Sequence, residues 1–165
     1  MVTPVAPFLR RVYISHYKSI DSCNVTFTPL LVLVGPNAAG KSNFLDALEF
    51  VVDALYASSE DAVDKRGGLS EVIRRAPTRA DGIRIRLECS LLPPKGSGEF
   101  EYEFHITPGT TRHSVEVREE KCLLRRGETS IGFTVGNKII RGVNTKYKGS
   151  VKQGRLFLPL AGITG

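Results

Sequence analysis

The residues best equipped for chemistry are Gly35-Pro36-Asn37-Ala38-Ala39-Gly40-Lys41-Ser42. They match the pattern G-x-x-x-x-G-K-[ST], whose parts have separable physical roles. Gly35 and Gly40 let the chain wrap tightly and bring its backbone close to a ligand. The amides from Ala38 to Asn43 would form a nest of N–H donors for an anion, and a helix opening at the end of the loop adds a partial positive charge. Lys41 supplies a full positive charge for the β- and γ-phosphates of a nucleotide, and the Ser42 hydroxyl suits Mg²⁺. A chain of this composition meets the pattern by chance roughly once in a hundred, so a phosphate-binding loop is the expected reading. Gly35, Pro36, Asn37, Ala38, Ala39, Gly40, Lys41, Ser42 and Asn43 are then the binding residues, Lys41 the catalytic one and Ser42 the metal ligand. The three histidines, His16, His105 and His113, are scattered and suggest neither a triad nor a metal site.

Such a loop works only between a buried strand and a helix, and both are legible. Leu30-Leu31-Val32-Leu33-Val34 is a continuous apolar run between Pro29 and Gly35, the pattern of a parallel strand covered on both faces. After the loop, Phe44, Leu45, Leu48, Val51, Val52 and Leu55 form one apolar stripe at helical period, predicting a helix over 41–57 with Asp46, Glu49 and Asp53 off the stripe. Before the loop, Phe8–Ile14 and Cys23–Phe27 are rich in β-branched and aromatic residues and suggest a hairpin turning at Ser19–Ser22. Residues 58–68 read as a polar connection, followed by a short helix at Leu69–Arg75 stopped by Pro77.

The second half alternates apolar and polar residues. Ile83, Ile85, Leu87 and Cys89 share a face; so do Phe100, Tyr102, Phe104 and Ile106, and so do Val115 and Val117. That is period two, antiparallel β over 82–158, ending in a strand at Arg155–Leu158. The turns fall at Pro93–Gly98, Pro108-Gly109, Arg126-Gly127-Glu128 and Gly136-Asn137.

The 165 residues suit one domain, and 41% apolar with 24% charged residues excludes a disordered, collagenous or coiled-coil chain. No window of 18 apolar residues and no N-terminal apolar segment occurs, so no membrane span or signal peptide is expected. Cys23, Cys89 and Cys122 show no metal spacing and read as reduced thiols of a cytoplasmic protein. The net charge of +6 fits a nucleic-acid partner and fits plain solubility equally. Arg74, Arg75, Arg79, Arg84, Arg86, Lys121, Arg125 and Arg126 form either a DNA-facing surface or a solvated face.

Residues Phe8 to Val52 resemble the N-terminus of the ABC-type ATPases of the SMC, RecF and OLD group. Val12-Tyr13-Ile14-Ser15-His16-Tyr17-Lys18-Ser19-Ile20 is similar to their I-x-N-F-K-S-F strand, with His16 in place of the usual Asn. Gly35–Leu48 is similar to their G-P/A-N-G-S-G-K-S-N-L-L-D-A-L, with Ala38-Ala39 in place of Gly-Ser. The chain is most similar to the prokaryotic AAA family ATPases with this head, whose next segment often carries an Arg-Gly-Gly turn like Arg66-Gly67-Gly68. The resemblance implies an α/β fold: a P-loop NTPase lobe of the ABC type with an antiparallel β subdomain. It implies ATP and Mg²⁺ as cofactors, and Lys18 as a further binding residue near the nucleotide. It also implies a homodimer closing on ATP, and DNA and a nuclease or other effector as partners, in repair or antiviral defence.

An ABC-type ATPase also needs an acidic strand of four apolar residues then Asp-Glu, and a signature motif. Ile83–Glu88 is interrupted by Arg84 and Arg86, and Gly67-Gly68-Leu69-Ser70 has the signature letters in another order. Gln153 stands at about the distance of the family's Q-loop glutamine, but no strand–loop–helix pattern surrounds it, and a surface glutamine is the expected reading. The expectation is therefore an N-terminal lobe over 1–165, inactive alone, whose first partner is an absent C-terminal lobe. The alternative is a non-hydrolytic nucleotide- or protein-binding module. A GTPase reading is opposed by Gly136-Asn137-Lys138-Ile139, which lacks the Asp of N-K-x-D.

Overall fold

A computed structural model of the chain describes residues 8–74, 81–91, 98–111, 114–136, 139–143 and 154–156. Arg75, Pro77, Arg79, the Pro93–Gly98 turn up to Gly98, Asn137-Lys138, Gln153 and Phe157-Leu158 lie outside the described residues. The described residues build two layers, a seven-stranded sheet and three helices packed on one of its faces. Strands β1 (Leu9–Tyr17), β2 (Ile20–Thr26), β3 (Ile83–Leu91), β4 (Gly98–Pro108), β5 (Val115–Arg126), β6 (Thr129–Gly136) and β7 (Ile139–Val143) lie in the order β2-β1-β3-β4-β5-β6-β7. Every neighbouring pair is antiparallel. Helix α1 spans Lys41–Tyr56, α2 Ser59–Asp64 and α3 Leu69–Val72.

The period-two pattern becomes a core on one face of the sheet. Val12, Ile14, Ile83, Ile85, Tyr102, Phe104 and Ile106 are buried there, against Phe44, Ala47, Phe50, Val51 and Ala54 of α1 and Ala62 and Val63 of α2. Phe50 meets Tyr17 edge-on at 5.7 Å and Phe104 at 6.4 Å between ring centroids. Burying one such aromatic stabilises the fold by about 1.5–3 kcal/mol. The helix is therefore turned relative to the expected stripe: Phe50 and Ala47 face the sheet, whereas Leu45 and Val52 are exposed, together with Tyr56.

Two irregularities change which side chains face the core. His16 adopts a left-handed φ of 58°, and Tyr17 is fully buried although Val12 and Ile14 set the opposite parity. In β5 the pairing skips Arg118, with Val117 opposite Ile106 and Glu119 opposite His105. One extra residue flips every later side chain. Glu120 thus becomes fully buried opposite Phe104, and Lys121 faces away from the core.

Several expectations need correction. The hairpin turn is the two-residue Lys18-Ser19, since Tyr17 pairs with Ile20; Ser19–Ser22 is not the turn. The polar connection at 58–68 contains α2, capped by Ser58, whose Oγ accepts from the Asp61 amide at 3.0 Å. The short helix ends at Val72, because Ile73 forms a bridge with Tyr17. Arg155 and Leu156 carry no strand, although Leu156 is buried.

The largest correction concerns Leu30–Val34, which forms no strand. Leu30, Val32 and Val34 are 79%, 66% and 85% exposed; only Leu33 packs against the core. A parallel strand needs a hydrogen-bonding neighbour and a layer on each face. Among the described residues the strands are all committed to the antiparallel sheet, so the apolar run has no partner there.

Candidate functional site

The loop sits where Leu30–Val34 meets α1. Gly35 has φ 153°, Ala38 φ 64° and Gly40 φ 89°, so the loop is coiled through left-handed backbone. Ala38 stands where glycine is usual in the resembling ATPases, and a side chain at this φ costs about 1–2 kcal/mol. Gly40 admits little else: a Cβ there would lie 3.3 Å from Ser19 Oγ. Residues 34–39 and Ser42 are exposed, and Gly40, Lys41 and Asn43 half-buried.

The N-terminus of α1 is uncapped. Gly40 supplies no side-chain acceptor and the first turn carries no acid. Its first amides therefore remain donors at the positive end of a 16-residue helix. Lys41 donates from Nζ to the carbonyls of Gly35 and Pro36, both at 2.7 Å, so its ammonium lies across the loop. An ammonium held on carbonyls keeps its charge uncompensated, unlike one paired with a carboxylate. This donor set fits a polyphosphate, with the Ser42 hydroxyl beside it able to hold a magnesium ion.

The β1–β2 turn closes against this loop. Asn43 Nδ2 donates to Ser19 Oγ at 2.7 Å. Lys18, next in the turn, has φ 48°, and its amide donates to the Val72 carbonyl at 2.8 Å. Its ammonium lies 2.5 Å from Asp46 Oδ2. A cleft of about 610 Å³ opens beside it, lined among others by Lys18, Ser19, Arg66, Ser70 and Arg74.

Asp46 is the hub between loop helix and turn. It accepts from Tyr17 Oη at 2.6 Å and from Arg66 Nε at 3.0 Å, besides its pair with Lys18. Burial opposes its ionisation, but the hydrogen bonds from Lys18 and Tyr17 and the charge of Arg66 outweigh it and hold the carboxyl below the usual range. Tyr17 is driven the other way, first by burial and then by its bond to Asp46, so it stays a neutral donor. Arg66 is only 5% exposed, pairs with Asp53 at 2.8 Å and lies over the Phe50 ring at 5.3 Å. Sequence reasoning assigned no role to Asp46, placed Ser19 beside Lys18 near the nucleotide only by resemblance, and saw Arg66 only as part of a turn. The signal was present: Asp46, Glu49 and Asp53 line one flank of α1, and Lys65-Arg66 follow where α2 brings them alongside.

The other face of the sheet resolves the basic cluster. Arg84 pairs with Glu103 at 2.6 Å and Glu119 at 3.3 Å, Arg86 with Glu88 and Glu101, Lys121 with Glu119, and Arg125 with Glu101. Arg74 is paired with Asp21. Cross-strand pairs and neighbours two residues apart on one strand set Arg84, Arg86, Lys121 and Arg125 beside glutamates, so this part of the face is a solvated ion-pair ladder. Cys89 and Cys122 are buried, which pushes their thiols up to about 11 and about 12. Among the described residues no group of His, Cys, Asp and Glu could hold a metal ion, and no helix is long and apolar enough to cross a membrane.

Residues 30–145, from the exposed apolar run through the loop to β7, match the family described as "AAA domain, putative AbiEii toxin, Type IV TA system". The chain belongs to this AAA family. With its loop and its β1 segment, it is an N-terminal lobe of the ABC-type, SMC/RecF-like ATPases. It is 31% identical over 91 residues to the DNA replication and repair protein RecF of Thermosynechococcus vestitus, covering 54% of this chain and 24% of that protein. It is 32% identical over 88 residues to RecF of Symbiobacterium thermophilum, covering 51% and 24%. To RecF of Streptococcus agalactiae serotype Ia it is 36% identical over 59 residues, covering 35% and 15%. The matched part spans about a quarter or less of these curated relatives' own length.

Proposed function

We propose that this AAA family chain is the nucleotide-binding half of an ABC-type ATPase, a P-loop NTPase lobe that acts as an ATP-gated switch on DNA. One observation carries the reading: the coiled loop Gly35–Gly40 runs into an α1 N-terminus that is uncapped and without a competing acid, with the Lys41 ammonium lying across the same loop. There the amides and Lys41 would cradle the phosphates of ATP, with Lys18 as the nearest further cation of the β1–β2 turn. Lys41 would stabilise negative charge developing on the γ-phosphate. Magnesium, when bound at Ser42, would screen the β- and γ-oxygens.

Exposed apolar surface supports an incomplete site. Leu30, Val32 and Val34 run into the loop, and Leu45 and Val52 leave it along the outer flank of α1. Both fit burial under the rest of the same ATPase, a C-terminal lobe carrying the acidic strand and signature. Closure of a second protomer over the nucleotide would then give the clamp, since a ligand shifts a conformational equilibrium only by binding one state better. DNA and a nuclease or other effector are the proposed partners, in repair, toxin–antitoxin or antiviral settings, within the cytoplasm. The names of the RecF relatives and of the family support DNA and toxin roles. The ion-pair ladder gives no support for DNA contact on the open sheet face.

The test is Mg-ATP binding and turnover by this chain beside Lys41→Ala. Binding lost in the variant, without turnover in either, is the expected result of a split site. Turnover by the unaltered chain would replace the split-site reading with a complete enzyme. Equal binding by both proteins would overturn the nucleotide reading.

A further inference from the structure

We infer that Asp46 is a positioning residue for the nucleotide, acting through Lys18. The inference rests on the nucleotide reading above. Lys41 and Asp46 are carried by the same helix, five residues apart. Lys41 lies on the loop carbonyls, whereas Asp46 reaches the β1–β2 turn and takes the Lys18 ammonium at 2.5 Å. The turn is pinned from two further directions: Ser19 accepts from Asn43 at 2.7 Å, and the Lys18 amide donates to Val72 at 2.8 Å. The Lys18 backbone is held at φ 48°, a conformation non-glycine residues rarely adopt, so the turn is over-determined by its neighbours.

The carboxylate is in turn fixed by Tyr17 Oη at 2.6 Å and Arg66 Nε at 3.0 Å. An ammonium has three N–H donors on a flexible stem. The pair with Asp46 uses one and restrains the stem, which leaves donors for an anion in the cleft that Lys18 lines. Loop helix and turn thus present their two lysines, 41 and 18, in a fixed relation, with Asp46 as the tether. No nucleotide contact by Asp46 itself is needed.

The experiment is a double-mutant cycle, titrating a fluorescent ATP analogue with Mg²⁺ into the unaltered chain, Asp46→Asn, Lys18→Ala and the double variant. Lys41→Ala serves as the control for nucleotide binding itself. Asp46→Asn and Lys18→Ala are each expected to weaken binding about three- to tenfold, and Asp46→Asn to add nothing once Lys18 is alanine. A purely structural Asp46 would weaken binding equally in both backgrounds. Asp46→Glu, which keeps a charge for Arg66 and moves the anchor by one methylene, is the second variant should Asp46→Asn not fold. It too should weaken binding only when Lys18 is present. Additive losses, or binding that Lys41→Ala abolishes and both Asp46 variants leave unchanged, overturn this inference alone. No binding by the unaltered chain overturns the nucleotide reading and the inference together.

Discussion

Arg66→Ala should cost this fold about 3 kcal/mol, because a nearly buried cation is removed from two carboxylates at once. Arg66 donates to Asp46 at 3.0 Å, to Asp53 at 2.8 Å and to the Ala62 carbonyl at 2.9 Å. Charged hydrogen bonds of this kind are worth about 1.5–3 kcal/mol each. Full additivity does not apply: the two carboxylates are about a quarter exposed, and Lys18 and Lys65 still face them. Discounting both bonds by roughly half for solvent and the remaining lysines, and adding about 1 kcal/mol for the lost stem and its contact with Phe50, gives the figure above. For a chain of this size that lowers the thermal midpoint by about 6–12 °C. Urea unfolding of Arg66→Ala, Asp53→Asn and the double variant measures it, the double being less destabilised than the sum. A loss under about 1 kcal/mol, or strict additivity, would refute the view that Arg66 ties α1 to α2.

Three other outcomes follow from the same structure. Tyr102→Phe should destabilise by about 1–3 kcal/mol in urea unfolding, because it withdraws the 2.8 Å hydrogen bond from the wholly buried Glu120; a neutral result would contradict that bond. Ala38→Gly should stabilise by about 0.5 kcal/mol, since relief of the left-handed φ of 64° exceeds the added chain entropy, and a lower thermal midpoint would count against that backbone. The carboxyls of Asp46, Asp53 and Glu119 are held below their ordinary values by their cation partners, against burial in the case of Asp46. Their stabilising contribution should therefore be complete above about pH 5, clear of the ordinary values of 3.8 and 4.5, and vanish as the pH falls through their lowered native values. His105, lowered by burial and by the charge of Arg84, should add an earlier loss below about pH 6.5. Urea midpoints from pH 7.5 to 3 report both phases, and His105→Asn should remove the upper one alone.

The loop was legible from sequence because its chemistry is local. Positive φ at Gly35 and Gly40 and the start of α1 at Lys41 need only backbone freedom and a helix N-terminus, which neighbours in the chain define by themselves. The antiparallel strands were legible for the same reason: alternation at Ile83–Cys89 and Phe100–Ile106 dictates a two-faced sheet. Parity was not. The unpaired Arg118 and the kink at His16 decide that Glu120 and Tyr17 turn inward, and both depend on which residue lies across the strand pair or the bridge. The helix stripe was half legible, since α1 carries more apolar residues than one sheet can cover, and only packing selected Phe50 and Ala47 over Leu45 and Val52. Leu30–Val34 reads as a buried strand because burial is written in its composition, but a strand exists only where a second strand supplies its hydrogen bonds. The Asp46 hub joins β1, α1 and the Arg66 loop across 20 to 29 residues of chain. Spacing along a sequence carries no record of such a meeting, and only the folding of the turn and α2 onto one flank of α1 brings those charges together.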